Sequence, residues 1–132
     1  WGIVVSGPCT ETYFWEHAAS AIGDTVVGLH LSGGTGWQSA KLNGATPIGA
    51  VFADEVGQAV CEAQIDWKEA NRLVNYCLGK YDKRMVARTL HEGGKQFQEC
   101  YNVETGQPTE EYLDIYNKVK QELRDQGLTT LK

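Results

Sequence analysis

The chain has 132 residues, of which 42% are apolar and 22% charged, and a formal net charge of −5. These totals fit one domain with one modest core and exclude a disordered or collagen-like chain. The acidic balance argues against a duplex nucleic-acid binder, which needs clustered Lys and Arg, and no apolar run nears the roughly 18 residues of a membrane span.

The chain opens on Trp1-Gly2-Ile3-Val4-Val5, without Met. Ile3 to Val5 form a short apolar run between Gly2 and Ser6-Gly7-Pro8, the pattern of a strand buried on both faces of a parallel sheet. A domain rarely begins inside such a strand, so the chain is expected to be a piece of a longer protein. From Thr10 onward, Phe14, Ala18, Ala21 and Ile22 recur at helical spacing, with Thr10 or Ser6 as cap and Gly23 as terminator. Thr25 to Leu31, "TVVGLHL", is β-branched and reads as a second buried strand with Gly28 at a close approach. Together these make a right-handed βαβ unit. A glycine-rich loop follows from Ser32 to Thr46.

Thr46-Pro47 is a helix start, Thr capping and Pro in the first turn, after which Ile48, Val51, Phe52, Val56, Ala59 and Val60 share a face. Asp66 and Glu69 form a capping box for a further helix carrying Ala70, Leu73, Val74, Cys77 and Tyr81. Residues 82–108 read mostly as loop. A last helix runs from Thr109 to about Gln126, with Tyr112, Ile115, Tyr116, Val119 and Leu123 inward and Gly127 as its stop. The chain is one segment in two parts, 1–46 with the βαβ unit and glycine loop, and 47–132 as a helical extension.

Sites in parallel α/β units gather just past strand C-termini and at helix N-termini, where N–H groups and the helix dipole converge. Ser6 to Glu11 and His30 to Gly36 hold those places, so Ser6, Cys9, Thr10, Glu11, His30, Ser32 and Gly33 are the candidate rim of one pocket. The plain alternative makes Thr10 a cap, Glu11 a first-turn acid and Cys9 a packed thiol. Cys9 with His30 resembles a nucleophile and its base, but no third group completes the set. "SGGTGW" is not a phosphate loop, because the next helix starts only at Thr46. Cys9, Cys61, Cys77 and Cys100 show no C-x-x-C pair and no His spaced for zinc, so reduced, mostly buried thiols and no metal are expected. His17 and His91 read as surface or packing residues, and Glu104, Glu110 and Glu111 as partners of the last helix's dipole.

The stretches "SGPCTETYFWEHAA", "VVGLHLSGG", "FADEVGQAV" and "DWKEANRLV", with the tail "GKQFQECYNVETGQPTEEYLDIYNKVKQELRDQGL", resemble the C-terminal part of the pyrrolysine-containing methylamine:corrinoid methyltransferases of methanogens, most closely the monomethylamine branch. The resemblance implies an α/β fold, the C-terminal part of a TIM (β/α)8-type barrel supplying its last two parallel strands, with an outer helical extension. It implies transfer of the methyl group of monomethylamine to the Co(I) of a cognate corrinoid protein, in a cytoplasmic homo-oligomer with no membrane or nucleic-acid partner. No cofactor is expected on this segment: the corrinoid travels on its partner protein and pyrrolysine lies upstream, so the piece alone is expected to be inactive. Glu11, Thr10 and His30 are then candidate catalytic groups, with Ser6, Cys9, Ser32 and Gly33 lining the amine pocket. The rival reading is a noncatalytic α/β scaffold or subunit-interaction module.

Overall fold

The computed structural model describes residues 4–31, 35–36, 39, 43–86 and 93–132. Four long helices dominate it: α1 (Glu11–Val26), α2 (Pro47–Ala63), α3 (Trp67–Gly79) and, after the short α4 (Asp82–Val86) and α5 (Phe97–Cys100), α6 (Glu110–Asp125). Between α5 and α6 lies a two-stranded antiparallel hairpin of β1 (Tyr101–Asn102) and β2 (Gln107–Pro108), with Tyr101 opposite Pro108 and Asn102 opposite Gln107.

Helix α1 is the central element and packs against α2, α3 and α6. Residues 12–18 are all buried, so its first half lacks the single apolar face that a surface helix shows. Tyr13, Phe14 and Trp15 point to different neighbours. Phe14 meets Phe52 of α2 edge-on at 4.9 Å and Tyr112 of α6 at 5.5 Å, while Trp15 meets Tyr76 of α3 at 5.8 Å. One core therefore joins Val4 and α1 to α2, α3, α5 and α6.

The ends of the helices follow local chemistry. Thr10 Oγ1 accepts from the Tyr13 N–H at 3.2 Å, so Thr10 rather than Ser6 is the α1 cap. Asp66 Oδ1 accepts from the Lys68 and Glu69 N–H groups, both at 2.9 Å, but Glu69 turns to Arg72 instead of completing a reciprocal box. Thr46 precedes Pro47 as expected yet makes no cap bond: its hydroxyl lies 2.8 Å from the Tyr112 hydroxyl and 3.5 Å from that of Tyr13. Tyr101 does the capping from outside, its hydroxyl accepting the Ile48 N–H at 3.0 Å.

Two expected strands differ from what is observed. Val4 and Val5 have no ladder partner, and Ile3 is outside the described residues; among these the hairpin is the only sheet. Thr25 and Val26 finish α1, which continues through Gly23, and Val27-Gly28 is a turn. Gly28 adopts φ 75°, its N–H bonding Thr25 O at 3.1 Å while Leu29 N–H reaches Asp24 O at 2.8 Å. This is a Schellman stop, which satisfies locally the carbonyls that a strand would have sent to a neighbour. Gly28 is thus the terminator, and a Cβ there would meet nothing within 4 Å, so no close approach requires it. Residues 29–31 are exposed.

Candidate functional site

The Ser6–Glu11 joint is held from three sides. Glu16, one turn and a half into α1 and buried, places Oε2 within 2.9 Å of the Val5 N–H, 3.1 Å of the Ser6 N–H and 2.9 Å of the Ser6 hydroxyl. Three donors on one oxygen are what a carboxylate in a dry setting requires. On the second side, Lys95 N–H donates to Pro8 O at 2.9 Å, and a Cβ on Gly7 would lie 1.7 Å from Gly93 O. Only glycine permits that contact. On the third side, Glu11 Oε1 receives Lys118 Nζ of α6 at 2.5 Å.

Each sequence-derived candidate can now be placed. Ser6 is buried with its hydroxyl on Glu16; Thr10 caps α1 and donates its hydroxyl proton to Gly7 O at 2.8 Å; Glu11 is half-exposed in its ion pair. Cys9 is buried with φ 64°, the left-handed region that a residue bearing a Cβ rarely adopts. Burial raises its thiol above the ordinary range, the Glu111 carboxylate adding to the effect and Lys95 opposing it. Ser32 and Gly33 lie outside the described residues, as does His91.

His30 belongs elsewhere. It is exposed and lines an open groove of about 590 Å³ with Thr25, Leu29, Asp54, Gln58 and Glu62, a set that includes none of Ser6–Glu11. The chain nevertheless returns along α1. Leu31 lines a narrow crevice together with His17 and Ala21, and a Cβ on Gly36 would touch Pro8 and Tyr13, both at 3.2 Å. The two joints do meet, at Gly36 and Pro8, while His30 lines a groove that includes neither residue.

His17, read from the sequence as a surface or packing residue, is a packing residue. It is 2% exposed, its ring stands edge-on to Tyr13 at 4.5 Å, and Nε2 has no hydrogen-bond partner among the described residues. Desolvation pushes its pKa down to about 4, against a bond to the Thr35 backbone that favours protonation. It follows Glu16 in the stretch where α1 is buried all round, a pattern that one-faced amphipathicity does not reveal. Glu16 was missed for the same reason. No group of three metal-binding side chains occurs among the described residues.

Residues 3–128 match the family model described as monomethylamine methyltransferase MtmB. The chain belongs to this family. It is 36% identical over 124 residues to monomethylamine methyltransferase MtmB of Methanosarcina mazei and 35% identical to MtmB1 of Methanosarcina barkeri, in each case over 93% of this chain and 26% of the relative. The chain thus spans about a quarter of the length of the curated relatives it matches, a C-terminal segment of them. The crystal structure of the Methanosarcina barkeri enzyme superposes with a TM-score of 0.77 at 32% identity, covering 95% of this chain and 26% of that one. A crystal structure of the hydroxylamine complex of MtmB matches equally well. The helix-rich architecture with its small sheet is consistent with part of an α/β barrel.

Proposed function

We propose that this chain is the C-terminal portion of an enzyme that moves the methyl group of monomethylamine to the Co(I) of a separate corrinoid protein, in the cytoplasm of a methylamine-using methanogen and as a homo-oligomer. The observation that carries the reading is the match of residues 3–128 to the monomethylamine methyltransferases, with the same backbone path at 32% identity. That a related enzyme has been crystallised with hydroxylamine supports a small amine-like molecule as substrate.

The chemistry sets the demands. Breaking the carbon–nitrogen bond is feasible only if nitrogen leaves as a neutral amine, so it has to carry positive charge beforehand while a strong nucleophile takes the methyl group. In this reading pyrrolysine, on a portion outside this chain, supplies an electrophilic imine that captures the amine. Ser6, Thr10 and Glu11 do not fit as its holders: their polar side-chain atoms are committed to Glu16, to the α1 cap and to Lys118.

We assign to this segment a positioning role. Glu16 fixes the backbone at Val5 and Ser6, the Gly7–Gly93 contact fixes the joint from the far side, and the positive end of the α1 dipole lies beside it. A wall that cannot shift by an ångström preserves the geometry on which transfer rates depend. The test uses the full-length protein with a corrinoid protein reduced to Co(I), presented in turn with mono-, di- and trimethylamine. Loss of the Co(I) absorbance with monomethylamine alone is expected. No methylation from monomethylamine, or preference for another amine, would overturn the assignment.

A further inference from the structure

Two thiols from distant parts of the sequence meet where the joint rests on the segment leading into α5. Cys9 is buried beside the α1 N-terminus, and Cys100, the last residue of α5, is fully buried. Both are free cysteines, and their thiols lie close enough for each to bias the other's titration. The backbone holds them in register. Lys95 N–H bonds Pro8 O at 2.9 Å, the Cys100 thiol donates to Lys95 O at 3.6 Å, and a Cβ on Gly94 would lie 2.3 Å from Pro8 O. Cys9 keeps φ 64°, and strain of that kind persists only where the surroundings over-determine it. Cys77 sits buried in α3 and Cys61 exposed on α2.

We propose that Cys9 and Cys100 form a dithiol–disulfide couple that latches the Ser6–Glu11 joint to α5 when a small-molecule disulfide oxidises it. Cys9, the more accessible of the two, attacks as thiolate on one sulfur of R–S–S–R; that bond breaks and one thiolate leaves. Cys100, as thiolate, then attacks the Cys9 sulfur of the mixed disulfide, forming the Cys9–Cys100 bond and expelling the second thiolate. The two cysteines lose two electrons, the small disulfide gains them, and the two thiol protons end on the departing thiols. This couple is independent of the methyl-transfer reading.

The surroundings set the rate. Burial raises both thiols, Cys100 to about 12, with Glu111 and Glu99 adding and Lys95 opposing. Thiolate is scarce at neutral pH, so closure is slow there and speeds up roughly tenfold per pH unit below the thiol pKa values. Once closed, the bond ties the start of α1 to the start of the hairpin and the joint can no longer lift away.

The experiment treats the full-length protein with oxidised glutathione at about pH 8.5 and maps its peptides without reduction. The expected product is a Cys9–Cys100 linked peptide pair, about 2 Da lighter than the two reduced peptides together, while Cys61 takes up glutathione. In Cys100→Ser the reaction stops at a Cys9–glutathione mixed disulfide, and in Cys9→Ala Cys100 stays unmodified. Full alkylation of both Cys9 and Cys100 after unfolding of the oxidised parent protein would overturn the proposal, as would linkage of either to Cys61. A melting temperature that rises on oxidation in the parent protein but in neither variant is the matching expectation; an equal rise in a variant contradicts it.

Discussion

Gly49→Ala offers a sharp perturbation because two opposing terms can be separated. In the first turns of α2, alanine for glycine gains about 1 kcal/mol of helix propensity. At Gly49, however, a Cβ would lie 2.0 Å from the Tyr13 hydroxyl oxygen and 2.8 Å from the ring carbon that bears it. Tyr13 is fully buried between α1 and α2, so the ring has nowhere to retreat without repacking. Overpacking of this kind costs about 1–3 kcal/mol, and pulling the hydroxyl away from Thr46 adds about 1–3 kcal/mol for an orphaned polar group. The net expectation is a loss of about 1–5 kcal/mol. Gly23→Ala is the internal control: it is also within a helix, but its Cβ meets nothing within 4 Å, so about 1 kcal/mol of stabilisation is expected. Urea unfolding of parent, both variants and the Gly49→Ala/Tyr13→Phe pair measures the difference, the pair recovering part of the loss through coupling. Equal stability of Gly49→Ala and Gly23→Ala would refute the packing of Gly49 on Tyr13.

Other outcomes follow from the same structure. Gly28→Ala, at φ 75°, is expected to destabilise by about 1 kcal/mol, opposite in sign to Gly23→Ala in the same unfolding assay. His17 is held neutral with its pKa lowered from 6.5 to about 4, so the unfolded chain binds a proton that the folded chain refuses; stability then falls with pH across that window, by about 3 kcal/mol in all. Melting curves between about pH 7 and 4 should show this slope, and His17→Gln should flatten it. Thr46→Val leaves the α2 cap intact but strands the Tyr112 hydroxyl, costing about 1–3 kcal/mol; a change confined to a few tenths would mean that the hydroxyl contact is not formed.

What could be read from the sequence was the chemistry of single positions. Thr10, Pro47, Asp66 and Gly127 mark helix ends because each satisfies or removes an orphan backbone group by itself. Gly127 closes α6 with the same pair of bonds by which Gly28 closes α1. Choosing Gly23 instead came from reading Thr25-Val26-Val27 as a strand, where β-branching is a preference that a good helix stop outweighs. The hairpin was missed although its signal was present: Asn102 Oδ1 accepts the Glu104 and Thr105 N–H groups, and Gly106 takes φ 69°. The full burial of Glu16 and His17 was illegible for a different reason. Their burial is set by helices that arrive from far along the chain, and no local pattern announces a helix covered on every side.

For the joint, the sequence placed Ser6, Cys9, Thr10 and Glu11 together, and the structure keeps them together, with Ser6 bonded to Glu16, Thr10 capping α1 and Glu11 in an exposed ion pair with Lys118. The chain comes back to Pro8 at Gly36, so the two joints approach each other although neither expected strand forms among the described residues, whereas His30 follows the turn at Gly28 into the groove beside Asp54 and Gln58.

The most direct test of a positioning role is methyl transfer from monomethylamine to a Co(I) corrinoid protein by the full-length protein carrying Glu11→Gln, with melting temperature measured alongside. Turnover within about threefold of the parent is expected, because an exposed ion pair to Lys118 is worth little and no proton is moved at Glu11. A fall of about a hundredfold or more at unchanged melting temperature is what the loss of a general acid or base produces, and it would contradict that role.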